Sequence, residues 1–398
     1  MSVLNPLCVA LIVTGAAIAA PVNANTFSTD DIDLDLSFRY RLEQVNTDAP
    51  LQDALASSLR SRVKLTTASY NGFSALAEID NVSYIGGETF NNTVNGKTDY
   101  AVIADPDGTD INQVALRYQH DKAGTFTLGR QQINHLNQRF LGGVGWRQNE
   151  QTFDGYRWQF KASEQLQLEL AHLDNVNRIF GPNGANADQR GDFRIALGQW
   201  QFAAGHRLAL FGYDFDFRDW DVRDSLTTGI DYSGSFTVAP DHRLTVQLAG
   251  ARQTDQYQAP VDFTHNYHRI SGGWTYQSVT VELGQERLAG NGQTAFQTPL
   301  ATLHAFQGFT DLFLVTPAAG IRDNWLKLNY QSNWAKFAFG YHEFGADAGN
   351  SDYGQEFNVS VSKPLTKQLA GLLKAARYEA DSFGSDTSKL WFQLVYTL

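Results

Sequence analysis

Arg39 and Arg41 are two residues apart, as are Arg60 and Arg62, and Lys64 lies two further on. Side chains at that spacing share one face of a β-strand, so five cations would line two neighbouring strands. A guanidinium is permanently charged, and its planar fork holds a carboxylate through two parallel bonds. A row of such groups in a water-filled passage hands an anion from one weak site to the next, a facilitated diffusion needing no energy input. Arg117, Arg157 and Arg194 fall on the corresponding face of later segments, as do the acids Glu43, Glu78, Asp80, Glu169, Glu282, Glu286 and Glu356.

Register separates solvating ion pairs from free cations. Centring a hairpin on Tyr70-Asn71-Gly72 sets Arg62 opposite Glu78 and Arg60 opposite Asp80, and a later turn sets Arg157 opposite Glu169. Such pairs can simply solvate a wall. Arg39, Arg41, Lys64 and Arg117 have no partner by register and are the better candidates to touch a solute. Enzyme chemistry has no comparable support. The nine histidines are scattered, and His265 and His268, three apart, fall on opposite faces of a strand. Asp105-Pro106-Asp107-Gly108-Thr109-Asp110 offers clustered oxygens but reads as a solvated turn without the spacing of a calcium loop. No cofactor is implied.

The elements that must carry these residues are strands. Ile32, Leu34, Leu36, Phe38, Tyr40 and Leu42 alternate with Asp33, Asp35, Ser37, Arg39, Arg41 and Glu43, and the last segment alternates up to Leu398. One face of each suits hydrocarbon and the other water, the signature of a membrane barrel. Eight short turns alternate with nine longer polar segments, so the chain is expected to form an all-β, transmembrane, antiparallel up-and-down barrel. About 18 strands are expected, with short periplasmic turns and long extracellular loops, in the bacterial outer membrane. Tyr and Trp near strand ends should meet the lipid headgroups.

Residues 7–20 are the one long apolar run, too short to span a bilayer as a helix. They read as the core of a secretory signal, 1–24, cleaved after Ala24. A short segment, 25–30, then precedes the barrel, 31–398. Cys8, the single cysteine, lies inside the signal, which leaves no thiol chemistry for the barrel. The net charge of −11 argues against nucleic acid as a partner. The long segment 288–323 is rich in Phe and Leu, too apolar to extend into water. It is expected to fold inward, with Phe306, Phe309, Asp311 and Phe313 narrowing the passage; a short helix on the rim is the alternative.

Several stretches resemble the alginate-export family of outer-membrane porins. They are Phe38 to Glu43, Leu59 to Val63, Leu128-Gly129-Arg130-Gln131, Trp146 to Gly155, and His304 to Pro317. The resemblance implies a monomeric eighteen-stranded barrel in outer-membrane lipid. It also implies an arginine-lined conduit for an anionic oligo- or polysaccharide, to which Arg39, Arg41, Arg60, Arg62, Arg130 and Arg147 would belong. Parity opposes one of these, because Leu128 faces lipid, and a bulge at Gly129 is needed to turn Arg130 inward. A general small-solute porin is the alternative function.

Overall fold

A computed structural model describes Phe27, Ser28 and residues 31–398, so the expected signal lies outside the described residues. In chain order the strands are β1 (Phe27–Ser28), β2 (Ile32–Thr47), β3 (Ala54–Thr67), β4 (Phe73–Tyr84), β5 (Gly108–His120), β6 (Gly124–Gln131) and β7 (Thr152–Lys161). There follow β8 (Leu166–Asn177), β9 (Asp188–Ala203), β10 (His206–Phe217), β11 (Ser225–Ala239), β12 (His242–Asp255) and β13 (Thr264–Tyr276). The last are β14 (Val279–Ala289), β15 (Gly320–Gln331), β16 (Lys336–Gly345), β17 (Asp352–Pro364), β18 (Leu369–Ala380) and β19 (Thr387–Thr397). From β2 onward each strand pairs antiparallel with the next, and β19 returns to β2 with Tyr396 opposite Phe38, closing an 18-stranded barrel. The short β1 pairs with Leu34 and Asp33, on β2 just past the point where Leu398 bonds Leu36.

Closure leaves no unpaired edge, which is what hydrocarbon demands of a backbone. Val63, Leu65, Ile79, Leu116, Leu128, Leu170, Leu210, Ile270, Leu283, Val359, Leu373 and Leu390 are exposed and form the outer belt. The parity between them holds buried polar groups: Glu43, Glu78, Glu169, Glu282, Glu356 and Lys374. Near the short turns, rings meet around the wall: Phe73 with Tyr118, Phe126 with Trp158, Phe202 with Tyr232, Trp274 with Tyr276 and Tyr330 with Phe337. The architecture is that of an outer-membrane barrel.

Two registers differ from expectation by two residues. Asn71 and Gly72 both have positive φ (52° and 86°), and Tyr70 and Phe73 exchange backbone bonds of 2.8 and 2.9 Å across them. That is a two-residue hairpin turn, and a slip of one residue between it and the ladder sets Arg62 opposite Asp80 and Lys64 opposite Glu78. A Cβ at Gly72 would also lie 2.5 Å from the Gln119 carbonyl oxygen. The later hairpin closes with Lys161 opposite Gln167, which sets Arg157 against Ala171 rather than Glu169.

In the upper halves of β9 and β10 the usual pattern inverts. Phe193, Ile195, Phe211, Tyr213, Phe215 and Phe217 are buried, whereas Arg194 is exposed. The cause lies inside: Phe140, from segment 132–151, stands 4.8 Å from Phe211, 5.2 Å from Tyr267 and 6.1 Å from Phe296. These strand ends meet an apolar filling on the inner side, so their aromatic rows turn inward and their charges outward.

Candidate functional site

The interior is filled from the loop end by segments 85–107, 132–151 and 290–319. Each carries apolar residues that gain by leaving water; Phe90, Ile103, Phe140, Leu141, Phe296 and Leu300 are all buried. Leu141 pairs with Leu300 in a parallel bridge, and Gly142 N donates to the Leu300 carbonyl at 2.9 Å, so two of the segments act as one body. The expected inward folding of 288–323 is what the geometry has. A rim helix is not: the helical turn there is Leu303–Ala305 alone.

Arginines from β2 and β3 hold this plug. Arg39 donates to the Gly145 carbonyl at 2.8 Å, to the Arg147 carbonyl, and to Gln148 at 2.9 Å. Arg41 donates to the Trp146 carbonyl at 2.5 Å and to Gln393 at 2.7 Å, with its guanidinium carbon 4.1 Å above the Trp146 ring. Arg39 and Arg60 lie directly opposite each other across the ladder, an arrangement of like charges that costs stability. Glu150 supplies the compensation, 3.2 Å from Arg60 and 3.1 Å from Arg62. Burial alone would raise the Glu150 carboxyl, but Arg62, Arg60 and Arg39 outweigh it and hold it at about 2.

Arg147 is the central tie. Its guanidinium lies 3.1 Å from Glu43, 3.0 Å from Asp311 and 3.7 Å from Asp105. Asp311 is also 3.0 Å from Lys389 and 2.6 Å from His304 Nδ1. Burial opposes ionisation of Asp311, yet His304, Lys389 and Arg147 hold its carboxyl well below the usual range. Lys374 donates to His304 Nε2 at 2.6 Å, which leaves Nδ1–H to donate to Asp311, and the imidazole stacks flat on Trp146 at 4.5 Å. Glu356 on β17 caps the tip of segment 290–319, accepting from the Phe309 and Thr310 backbone and the Thr310 hydroxyl. Gly308 there has φ +80°, and a Cβ would lie 2.4 Å from the Glu356 carboxylate. Gly308→Ala is expected to dislodge this tip, read as faster amide exchange over residues 303–311; unchanged exchange would show that the cap does not need the glycine.

Titration of His304 gives a second test. Burial first, and then Lys374, hold it at about 3 against the pull of Asp311. A histidine with a depressed folded value contributes stability that is whole above its unfolded value, near 6.5, and is lost as the pH falls toward the folded one. Acidification from pH 7 to 4 is expected to loosen segment 290–319, and the His304→Asn variant should lose most of that response. An identical acid response in wild type and variant would place the titrating group elsewhere.

The expected site residues divide. Arg39, Arg41, Arg60, Arg62 and Arg147 converge, but as clamps buried against the plug; Arg39 and Arg41, read as unpartnered, both meet segment 132–151, and Arg41 also meets Asp105 and Gln393. Arg157 reaches Glu169 diagonally at 2.7 Å. Lys64 faces both Asp35 and Glu78, and Arg117 has no hydrogen bond or ion pair with a described residue. Two placements are corrected. The ladder passes Gly129 without a register shift, so Arg130 keeps the outward parity of Leu128 and pairs with Asp154 at 2.9 Å. Arg194 lies outside at the rim, 3.1 Å from Asp192 and 3.4 Å from Asp214. Phe306 and Phe313 are buried in the filling, Phe309 lies under Lys374 Nζ at 3.3 Å, and Asp311 meets Arg147.

Above the plug is a cavity of about 580 Å³ with Arg147, His304, Asp311 and Lys389 at its base and largely apolar walls. A second, of about 590 Å³, opens near the short turns and is lined by His135, Arg157, Lys161 and Glu169. His135, which sequence reasoning missed, bonds Glu169 at 2.7 Å and Tyr213 at 3.3 Å. Its neighbours are distant in sequence, so no local pattern marks it.

No family model matches the chain, and no curated protein matches it. Solved structures do. OccAB4 of Acinetobacter baumannii is similar with a TM-score of 0.73 at 14% identity, over 95% of this chain and 99% of that one. OpdK of Pseudomonas aeruginosa is similar at 0.73 and 16%, over 93% and 98%, and OccK9 (OpdG) of the same organism at 0.73 and 14%, over 92% and 98%. At these identities the likeness is one of fold, the 18-stranded barrel. It corrects the resemblance to the alginate-export family: these structural neighbours are Occ and Opd proteins. The arginine pairs Arg39/Arg41 and Arg60/Arg62 that suggested that family act in this chain as plug clamps.

Proposed function

We propose that this protein is an outer-membrane porin for small solutes, with anions favoured over cations. The observation that carries the reading is the engagement of the lumen arginines. Arg39, Arg41 and Arg60 are 7%, 1% and 6% exposed, so they cannot form an open track for a polymer. The space left among the described residues includes cavities of about 580 and 590 Å³, within the range that encloses single small molecules. OpdK was solved with vanillate, a solute of that scale. The anionic preference rests on Arg147 and Lys389 at the base of the upper cavity.

Swelling of proteoliposomes tests it. Small anions such as benzoate and glucuronate are expected to enter readily, with rates falling steeply as uronate oligomers lengthen. Equal entry of monomer and long oligomer would overturn the size limit, and absence of any entry would overturn the porin reading.

A further inference from the structure

Two arginines at the mouth of the upper cavity have no counter-charge among the described residues. Arg178 follows β8, and its guanidinium carbon stands 4.6 Å from the Phe180 ring centroid and 5.5 Å from that of Trp220. Arg223 ends the helical turn Asp221–Arg223 and stands 5.1 Å from the same Trp220 ring. Neither side chain makes a hydrogen bond or ion pair with a described residue, whereas the plug arginines all meet oxygen partners. Both line the cavity whose walls include Ile179, Leu312, Leu314 and Val315.

This arrangement is unfavourable by itself. Stacking on an aromatic ring offsets part of the lost hydration of a guanidinium but neutralises nothing. Burial, with no acidic group opposing it, lowers both arginines from their ordinary value. An anion arriving from outside supplies the missing charge.

We propose that Arg178 and Arg223, held on Trp220, form an outer capture site for organic anions with an apolar body, and that a dianion fits it best. The inference rests on the porin reading and deepens it. Two uncompensated cations on one ring call for two negative charges, and the walls reward an apolar body that leaves water. Below lies the second cationic pair, Arg147 and Lys389, occupied by Asp311. A captured solute therefore reaches a site where its own carboxylate can exchange with that of Asp311. Capture at the mouth mainly raises the association rate, because a focused field acts on encounter.

The test is current block in planar bilayers with phthalate or benzoate added on the extracellular side. At low ionic strength wild type is expected to take up phthalate roughly tenfold faster than benzoate, within the range of electrostatic steering. The double variant Arg178→Gln/Arg223→Gln should lose that advantage, and Arg178→Lys/Arg223→Lys, which keeps the charges, should retain most of it. Heat-modified gel mobility establishes that each variant is a folded barrel. If the glutamine variant keeps the phthalate advantage, the capture site is wrong while the porin stands. If wild type passes no current, the porin reading itself fails.

Discussion

Replacing Arg147 with methionine is expected to raise single-channel conductance several-fold and to expose Arg139, within segment 132–151, to trypsin in the folded barrel. Methionine fills the volume of the arginine stem but leaves Glu43, Asp105 and Asp311 facing one another without the guanidinium that lies within 3.7 Å of all three. Breaking a buried ion pair from one side costs about 3–5 kcal/mol, because the remaining charge is left uncompensated. The wall does not absorb that cost, since its backbone bonds are closed on both sides of each strand. The plug does: segments held by side chains open before a ladder does. Arg39 donates to the Arg147 and Gly145 carbonyls, so release of Arg147 also removes oxygens that keep Arg39 and Arg60 from repelling each other. Unchanged conductance together with unchanged protection at Arg139 would show that the plug is held by its apolar contacts instead.

The wall was legible because its information is local. Alternation of Leu34, Leu36 and Phe38 with Asp35, Ser37 and Arg39 depends on nothing distant, and the turns at Tyr70-Asn71-Gly72 and Pro240-Asp241-His242 announce themselves by residue type. Two-residue errors of register arose where the turn's backbone, not its composition, sets the pairing, as with the positive φ of Asn71. Inside the barrel the information is distant. Arg39 meets Gln148 and Arg41 meets Asp105 and Gln393, contacts that strand parity cannot show. Parity named the correct inward face for Arg39 and Arg41, then failed on what fills the space opposite them. It failed differently at Arg194, where the strand rises beside the apolar filling and water lies outside. Segment 290–319 was readable as inward-folding because Phe296, Leu300, Phe306 and Phe313 have no stable place in water.

The filled lumen also explains how an acidic protein can favour anions. Most carboxylates of the interior are consumed in pairs, Glu43 with Arg147, Asp80 with Arg62, Glu169 with Arg157 and Glu286 with Arg139. On the porin reading, the selectivity of the upper cavity would be set by the few charged groups that line it, Arg147, Lys389 and Asp311 with Arg178 and Arg223, and not by the net charge of −11.

Asp311→Asn follows from that and should move the reversal potential in a potassium chloride gradient clearly toward the chloride value. The carboxylate of Asp311 sits where a solute carboxylate would sit, 3.0 Å from both Arg147 and Lys389. Asparagine keeps the shape and can still accept a hydrogen bond from His304, but it removes the negative charge that masks the two cations. Charge within a low-dielectric constriction acts more strongly than at an open surface, so one residue can dominate selectivity. The same variant should hold benzoate longer in block measurements, because the solute no longer displaces an internal competitor. A reversal potential and block duration equal to those of wild type would mean that the permeation path does not pass Arg147 and Lys389, and the anionic preference would then have to come from Arg178 and Arg223 above them.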